Sequence, residues 1–168
     1  DTRVAAARLP SPPGQPPDLR LPLLPSGLAL AALLTASGQY RMRRRGARAI
    51  YAVGATLYLL FAGLSGLVML LLWAFTAHRS AGANENLLLF NPLALLLLRT
   101  VWRNGASAFG RNLVMLLTLL AAVALIGKLL PGFTQDNLPW IAFALPVWLA
   151  LAHATWVSSP GRHQTIKV

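Results

Sequence analysis

One stretch of 28 residues without a charged side chain constrains this chain most strongly. It runs from Ile50 to Ala77, and five arginines stand directly before it, within residues 41–48. About 20 apolar helical residues, each adding about 1.5 Å, cross the ~30 Å hydrocarbon layer of a bilayer. The stretch would form about 42 Å of helix, enough to cross with tilt or to protrude on one side. We therefore predict an integral membrane protein.

The composition agrees with a membrane location. Of the 168 residues, 56% are hydrophobic and 11% are charged, whereas soluble domains carry about 25% charged residues. The net charge of +11 would also suit a nucleic-acid-binding protein. However, ten of the fifteen Lys and Arg residues fall in three segments that flank apolar runs. Basic residues in such places hold loops in the cytoplasm and contact anionic lipid heads, so we expect membrane lipids and no nucleic acid as partners.

The apolar stretches predict an all-α bundle of five transmembrane helices behind a Pro-rich arm. Seven prolines within residues 9–25 favour an extended arm over 1–25. The membrane domain is predicted over 26–158, with its first helix capped near Ser26, and a short cytoplasmic tail over 159–168. The five stretches are Leu21–Gly38, Ile50–Ala77, Leu87–Trp102, Asn112–Leu130 and Leu138–Val157.

The basic residues also predict the orientation. With five spans, the loops 41–48 and 99–111 and the tail lie on one side and hold ten Lys or Arg, whereas the opposite loops hold only Arg79 and Lys128. The positive-inside rule then places the N-terminus outside and the C-terminus in the cytoplasm. Arg3, Arg8 and Arg20 oppose this assignment weakly. A four-span arrangement, with the first stretch on the membrane surface, would put the N-terminus inside.

The richest polar segment joins the second and third stretches. Glu85 is the only carboxylate between Asp18 and Asp136, and it lies seven residues from His78. A His/Glu pair at a membrane surface could perform acid–base chemistry or hold a lipid head group. The simpler interpretation, which we favour over catalysis, is a hairpin whose polar groups satisfy helix ends. Asn84 or Asn86 would then be an N-cap, and the helix dipole would favour Glu85.

Two further patterns concern helix packing. Pro92 is expected to kink the third helix, and the amide of Asn91 to bond across to another helix, towards Thr76 or His78. Small residues on the second stretch allow another helix to approach closely; the main positions are Gly54, Gly63 and Gly66.

The sequence gives little sign of a cofactor or of catalysis. Ala74 and His78 match a four-residue pigment-ligating pattern of bacterial light-harvesting helices, which is too short to be specific. His153 and His163 have no metal-ligand partner at usable spacing. The absence of cysteine excludes a thiol nucleophile and thiolate-bound zinc. We therefore predict no cofactor, no metal site, no catalytic residue and no small-molecule substrate.

The hairpin resembles the transmembrane region of Lnb-type bacterial lipoprotein N-acyltransferase proteins. In that family an apolar helix ends in His, and a short loop leads to N-x-N-L-L, N-P-L and a second apolar helix. The matching positions here are His78, Asn84, Asn86, Leu87, Leu88, Asn91, Pro92 and Leu93. The resemblance covers roughly 25–157 and implies a five-helix bundle attached to a periplasmic, cysteine-peptidase-like domain that acylates lipoproteins. This chain has no cysteine and no such domain, so the resemblance implies no catalytic residue here.

Three functions remain open at this stage. The first is a non-catalytic membrane anchor, scaffold or accessory subunit that acts through lipid and through other membrane subunits. The second is the membrane portion of a larger acyltransferase-like enzyme whose catalytic domain is absent here. The third is a structural subunit of a respiratory or photosynthetic complex. For all three, the basic segment is predicted to set topology and to contact anionic lipid through Arg41, Arg43, Arg44, Arg45 and Arg48.

Overall fold

The computed structural model describes residues 20–75, 84–103 and 107–157, and it is helical within these ranges, without a strand. The all-α class is therefore confirmed for the described residues. Two short 3₁₀ helices, Glu85–Leu88 and Pro92–Leu97, lie between the second and third α-helices. The α-helices are α1 (Arg20–Tyr40), α2 (Arg45–Phe75), α3 (Leu98–Val101), α4 (Ala108–Gly127) and α5 (Leu138–Val157).

Three of the described helices, α2, α4 and α5, are long and apolar enough to cross a membrane. α2 alone has 31 residues, which corresponds to about 46 Å. The chain is therefore a membrane protein. The count of five transmembrane helices stays a prediction, because the third apolar stretch does not form one long helix.

Helix α1 begins earlier than the sequence predicts. The expected start near Ser26 is wrong, since α1 begins at Arg20 and residues 20–25 are helical. Ser26 is not an N-cap: its hydroxyl donates to the carbonyl oxygen of Pro22 at 2.6 Å. Pro22 is tolerated because the first four amides of a helix have no intrahelical partner, whereas Pro25 lies inside the helix and removes one backbone hydrogen bond there. The remainder of the Pro-rich arm and the predicted tail lie outside the described residues.

The third stretch is a broken segment rather than a helix over Leu87–Trp102. The two 3₁₀ helices are separated at Asn91, whose backbone is extended with φ −119° and ψ 134°. Pro92 explains the break, because its ring disfavours a helical conformation at the preceding residue and it lacks an amide hydrogen. The predicted kink is therefore a full interruption.

Irregular backbone within a membrane protein must be covered by protein, and here α2 and α5 cover it. A Cβ atom at Gly66 of α2 would lie 2.8 Å from the nitrogen of Pro92, and one at Gly63 would lie 2.5 Å from Cγ of Leu95. On the other side, the fully buried Trp148 of α5 donates its indole N–H to the carbonyl oxygen of Leu89 at 3.0 Å. The glycines thus leave room for the irregular backbone, and the indole supplies a hydrogen bond to one of its carbonyl oxygens.

The elements connect two opposite ends of the bundle. At the arginine end, defined by residues 41–48, Arg48 donates to the carbonyl oxygen of Trp102 at 2.9 Å, next to the C-terminus of α3. At the Glu85 end, the C-terminus of α4 and the N-terminus of α5 meet the first 3₁₀ helix. Gly54 lies between the ends, where α1 packs on α2 beside Leu34.

Candidate functional site

Three residues at the Glu85 end form a polar cluster, the Glu85 cluster, which consists of Glu85, Lys128 and Gln135. The ammonium group of Lys128 contacts Oε2 of Glu85 and donates to the carbonyl oxygen of Gln135 at 2.6 Å. The backbone amide of Gln135 donates to Oε1 of Glu85 at 3.0 Å. In return, the amide of Glu85 donates to Oε1 of Gln135 at 2.9 Å. The cluster therefore ties the first 3₁₀ helix to the loop between α4 and α5.

The carboxylate of Glu85 is held in its ionised form. Its side chain is 11% exposed and that of Lys128 is 19% exposed, so both charges are largely shielded from solvent. Burial alone would raise the pKa of Glu85. Hydrogen bonds from Lys128 and from the amides of Gln135 and Thr134, together with the Lys128 charge, outweigh it and lower the pKa below 4.5. Both carboxylate oxygens are engaged, so the geometry suits a structural tie better than a proton-transfer group.

Asparagines surround this cluster. Asn84 caps the first 3₁₀ helix, because its side chain accepts from the amide of Asn86 at 3.0 Å. The side-chain oxygen of Asn86 is buried without a hydrogen-bond partner among the described residues. Asn137 is 1% exposed, and both polar atoms of its side chain also lack a partner there. The sequence does not point to Asn137, since neither its burial nor its unused polar atoms are visible there.

Asn91 and Pro92 form the break in the third stretch. The expected bond from Asn91 towards Thr76 or His78 is not tested, because both of those residues lie outside the described ranges. Its side chain accepts from the amide of Leu93 at 3.0 Å and donates to the carbonyl oxygen of Leu87 at 3.3 Å. Both contacts are local, because the extended backbone at Asn91 turns its side chain towards the start of the second 3₁₀ helix.

The structure does not describe His78, so neither its pairing with Glu85 nor a pigment-ligating role is tested. Thr76 lies outside the described residues as well. Within the described ranges, no group of His, Asp and Glu side chains is arranged to hold a metal ion.

The predicted basic residues gather at the opposite end, and one of them is buried. Arg41 is only 7% exposed, donates to the carbonyl oxygen of Ala154 at 3.2 Å, and lies 4.4 Å from the ring centre of Tyr51. Arg43, Arg44 and Arg45 are exposed. Arg41 thus fixes the C-terminal part of α5 to the turn before α2, a role that its neighbours do not share.

Comparison with known proteins identifies the fold family. The family model described as the Lnb transmembrane domain matches residues 19–160. The chain belongs to this family. Neither the curated proteins nor the solved structures that were searched include a match. The resemblance inferred from the hairpin motif is therefore confirmed, and the Glu85 cluster, the broken segment and the basic end all lie within the matched residues.

Proposed function

We propose that this Lnb transmembrane domain is a non-catalytic anchor and scaffold of the bacterial inner membrane, with its arginine end in the cytoplasm. One observation carries the proposal: both oxygens of Glu85 are used to join two loops that lie about 50 residues apart in sequence. A carboxylate committed in this way joins two loops, and because its pKa is lowered it is a poor base for a substrate. The Glu85 end is then a fixed platform on the periplasmic side.

The charge distribution supports this orientation. Five arginines lie at the arginine end, whereas Lys128 at the other end is neutralised by Glu85. Positive charge is retained on the cytoplasmic side of membrane proteins. The partners in this proposal are lipids along the exposed apolar helix faces and other membrane-protein subunits or domains at the platform, with no cofactor.

A crosslinking experiment tests the scaffold role. A photocrosslinker attached to Gly132→Cys, where a side chain meets open space, should give protein adducts of defined mass in native membranes. Adding Lys128→Met should reduce these adducts several-fold, because the platform loses the ion pair between Lys128 and Glu85. The same probe on Gly46→Cys, also in open space, is the matched control. Adducts with lipid only, or protein adducts that Lys128→Met leaves unchanged, would contradict the proposal.

A second candidate is the membrane portion of a lipoprotein N-acyltransferase-like enzyme. The family match favours it, and the unpartnered polar atoms of Asn137 offer hydrogen bonds beside the platform. Intact-mass measurement of the native polypeptide separates the two candidates in part, since an added soluble domain supports the enzyme. Purified native protein should also be incubated with a diacylated lipopeptide that has a free amino terminus. With phospholipid supplied as acyl donor, a new amide-linked acyl chain on that amino terminus, matched by the loss of one ester from the phospholipid or from the lipopeptide itself, would favour the enzyme over the non-catalytic scaffold.

A further inference from the structure

The arginine end contains an open basic pocket. Its volume is about 340 Å³, and it is lined by Arg41, Met42, Arg43, Arg44, Arg45 and Arg48. Helix α2 begins at Arg45, so its first backbone amides, which have no intrahelical partner, also lie at this end. The carboxylates within the described residues, Glu85 and Asp136, lie at the opposite end. Among the residues that the structure describes, no acidic side chain therefore neutralises this pocket, and it is built for an anion.

An apolar groove begins directly beside the pocket. It lies between α1 and α2, has a volume of about 590 Å³, and is lined by Leu30, Leu33, Ile50, Val53 and Leu57 among others. Along α2 the lining starts at Ala49, the residue after Arg48, and ends at Tyr58. These residues cover about 14 Å of helix, which is roughly half of the ~30 Å hydrocarbon layer. The groove therefore has the depth of one membrane leaflet.

The pocket and the groove together match the two parts of one phospholipid. We propose that the α1–α2 hairpin binds an anionic phospholipid of the leaflet at the arginine end, with its phosphate in the arginine pocket and one acyl chain in the groove. Charge complementarity selects an anionic lipid, because several guanidinium groups surround a single head group. The apolar groove accommodates an acyl chain, so the site favours a lipid over a soluble anion. This site is independent of the scaffold role proposed above.

Lipid binding to the purified full chain tests the site. In detergent, phosphatidylglycerol should raise the thermal unfolding midpoint and remain bound in native mass spectra. Phosphatidylcholine with the same acyl chains should do so much more weakly, and inorganic phosphate should give no comparable effect. Equal binding of the two lipids would overturn the charge argument. A full effect of inorganic phosphate would assign the pocket to a soluble anion instead.

Matched variants separate the two halves of the site. Arg43→Gln combined with Arg45→Gln should weaken phosphatidylglycerol binding about tenfold or more, since each basic residue near a lipid surface contributes appreciably. Arg103→Gln, an exposed arginine outside the pocket lining, is the control. Val53→Trp should fill the groove and reduce binding, whereas Leu119→Trp on α4, at a side chain that is 58% exposed, should not. Unchanged binding in the arginine pair, or equal losses in both tryptophan variants, would contradict the proposal.

Discussion

Glu85 and Lys128 lie 43 residues apart in the sequence, yet the fold brings their charged atoms into contact. Both side chains are largely shielded from solvent, so water could not fully solvate either charge if the other were removed. A pair of this kind adds little compared with apolar packing, but removing one member leaves a charge that is shielded from solvent and uncompensated. The effect of a substitution therefore depends on whether one or both charges are removed.

We predict that Lys128→Met lowers the free energy of unfolding by about 1–3 kcal/mol, because the buried carboxylate loses its charged partner. Thermal unfolding in detergent measures this. The double variant Glu85→Gln/Lys128→Met should lose less than the sum of the two single variants, since no charge is then left unpaired. Arg103→Gln, which changes an exposed charge at the other end, serves as the control. A fully additive double variant would exclude coupling between the two side chains.

The lowered pKa of Glu85 predicts a pH dependence of stability. A carboxyl group whose pKa is lower in the folded state stabilises the fold above its unfolded-state pKa, near 4.5. This contribution is lost as the pH falls through the folded-state pKa. The unfolding midpoint of the native chain should therefore fall more steeply below pH 4.5 than that of Glu85→Gln. Parallel curves for the two proteins over this range would contradict the assignment.

At the scale of the elements, the break before α3 shows how one dipeptide changes an otherwise helical stretch. Residues 87–102 are apolar enough for a helix, and Asn91-Pro92 was expected only to bend it. The structure instead uses an extended residue between two 3₁₀ helices. Gly66 allows α2 to approach this backbone closely, and Trp148 donates a hydrogen bond to the carbonyl oxygen of Leu89.

We predict that Gly66→Ala destabilises the bundle by at least about 1 kcal/mol, although alanine is the better helix former. The added methyl would meet the carbonyl carbon of Phe90 and the nitrogen of Pro92, each at 2.8 Å, and overpacking of this kind costs about 1–3 kcal/mol. Gly46→Ala on the same helix meets no atom within 4 Å. It should leave stability unchanged or raise it by up to about 1 kcal/mol. The thermal unfolding midpoint should therefore fall for Gly66→Ala and not for Gly46→Ala, and equal shifts would rule out close packing at Gly66.

Local sequence signals predicted some elements well and others poorly. The bounds of α5 agree with the apolar stretch Leu138–Val157, because its limits coincide with polar residues. The predicted start of α1 near Ser26 is wrong, since the helix accommodates Pro22 in its first turn and Pro25 in its interior. The local hydrogen bonds of the Asn91 side chain could not be predicted, because the sequence does not reveal the extended backbone that brings this side chain to Leu87 and Leu93.

The candidate site was predicted only in part, for a physical reason. Glu85 and the capping asparagine could be identified from their own neighbours in the sequence. Lys128, Gln135 and Asn137 could not be joined to them, because that requires α4 and α5 to bring a distant loop to the same end. Burial of Arg41 was missed likewise, since its partner is a backbone carbonyl of α5 that any residue could supply.

At the scale of the whole molecule, the two ends differ in charge and in chemistry. The arginine end is basic and carries the proposed lipid site, while the described part of the Glu85 end has one basic residue, Lys128, and two acidic residues, Glu85 and Asp136. We propose that the first faces the cytoplasm and the second the periplasm. Every functional proposal above depends on these ends lying on opposite sides of one membrane.

Single-cysteine labelling tests this arrangement most directly, because the chain contains no cysteine of its own. Gly132→Cys and Gly46→Cys both place the new side chain in open space, at the Glu85 end and the arginine end respectively. With a membrane-impermeant maleimide on spheroplasts, Gly132→Cys should react at once and Gly46→Cys only after the membrane is permeabilised. Reaction of both variants from the same side would contradict the fold's placement in the membrane, and the reverse pattern would contradict the proposed orientation.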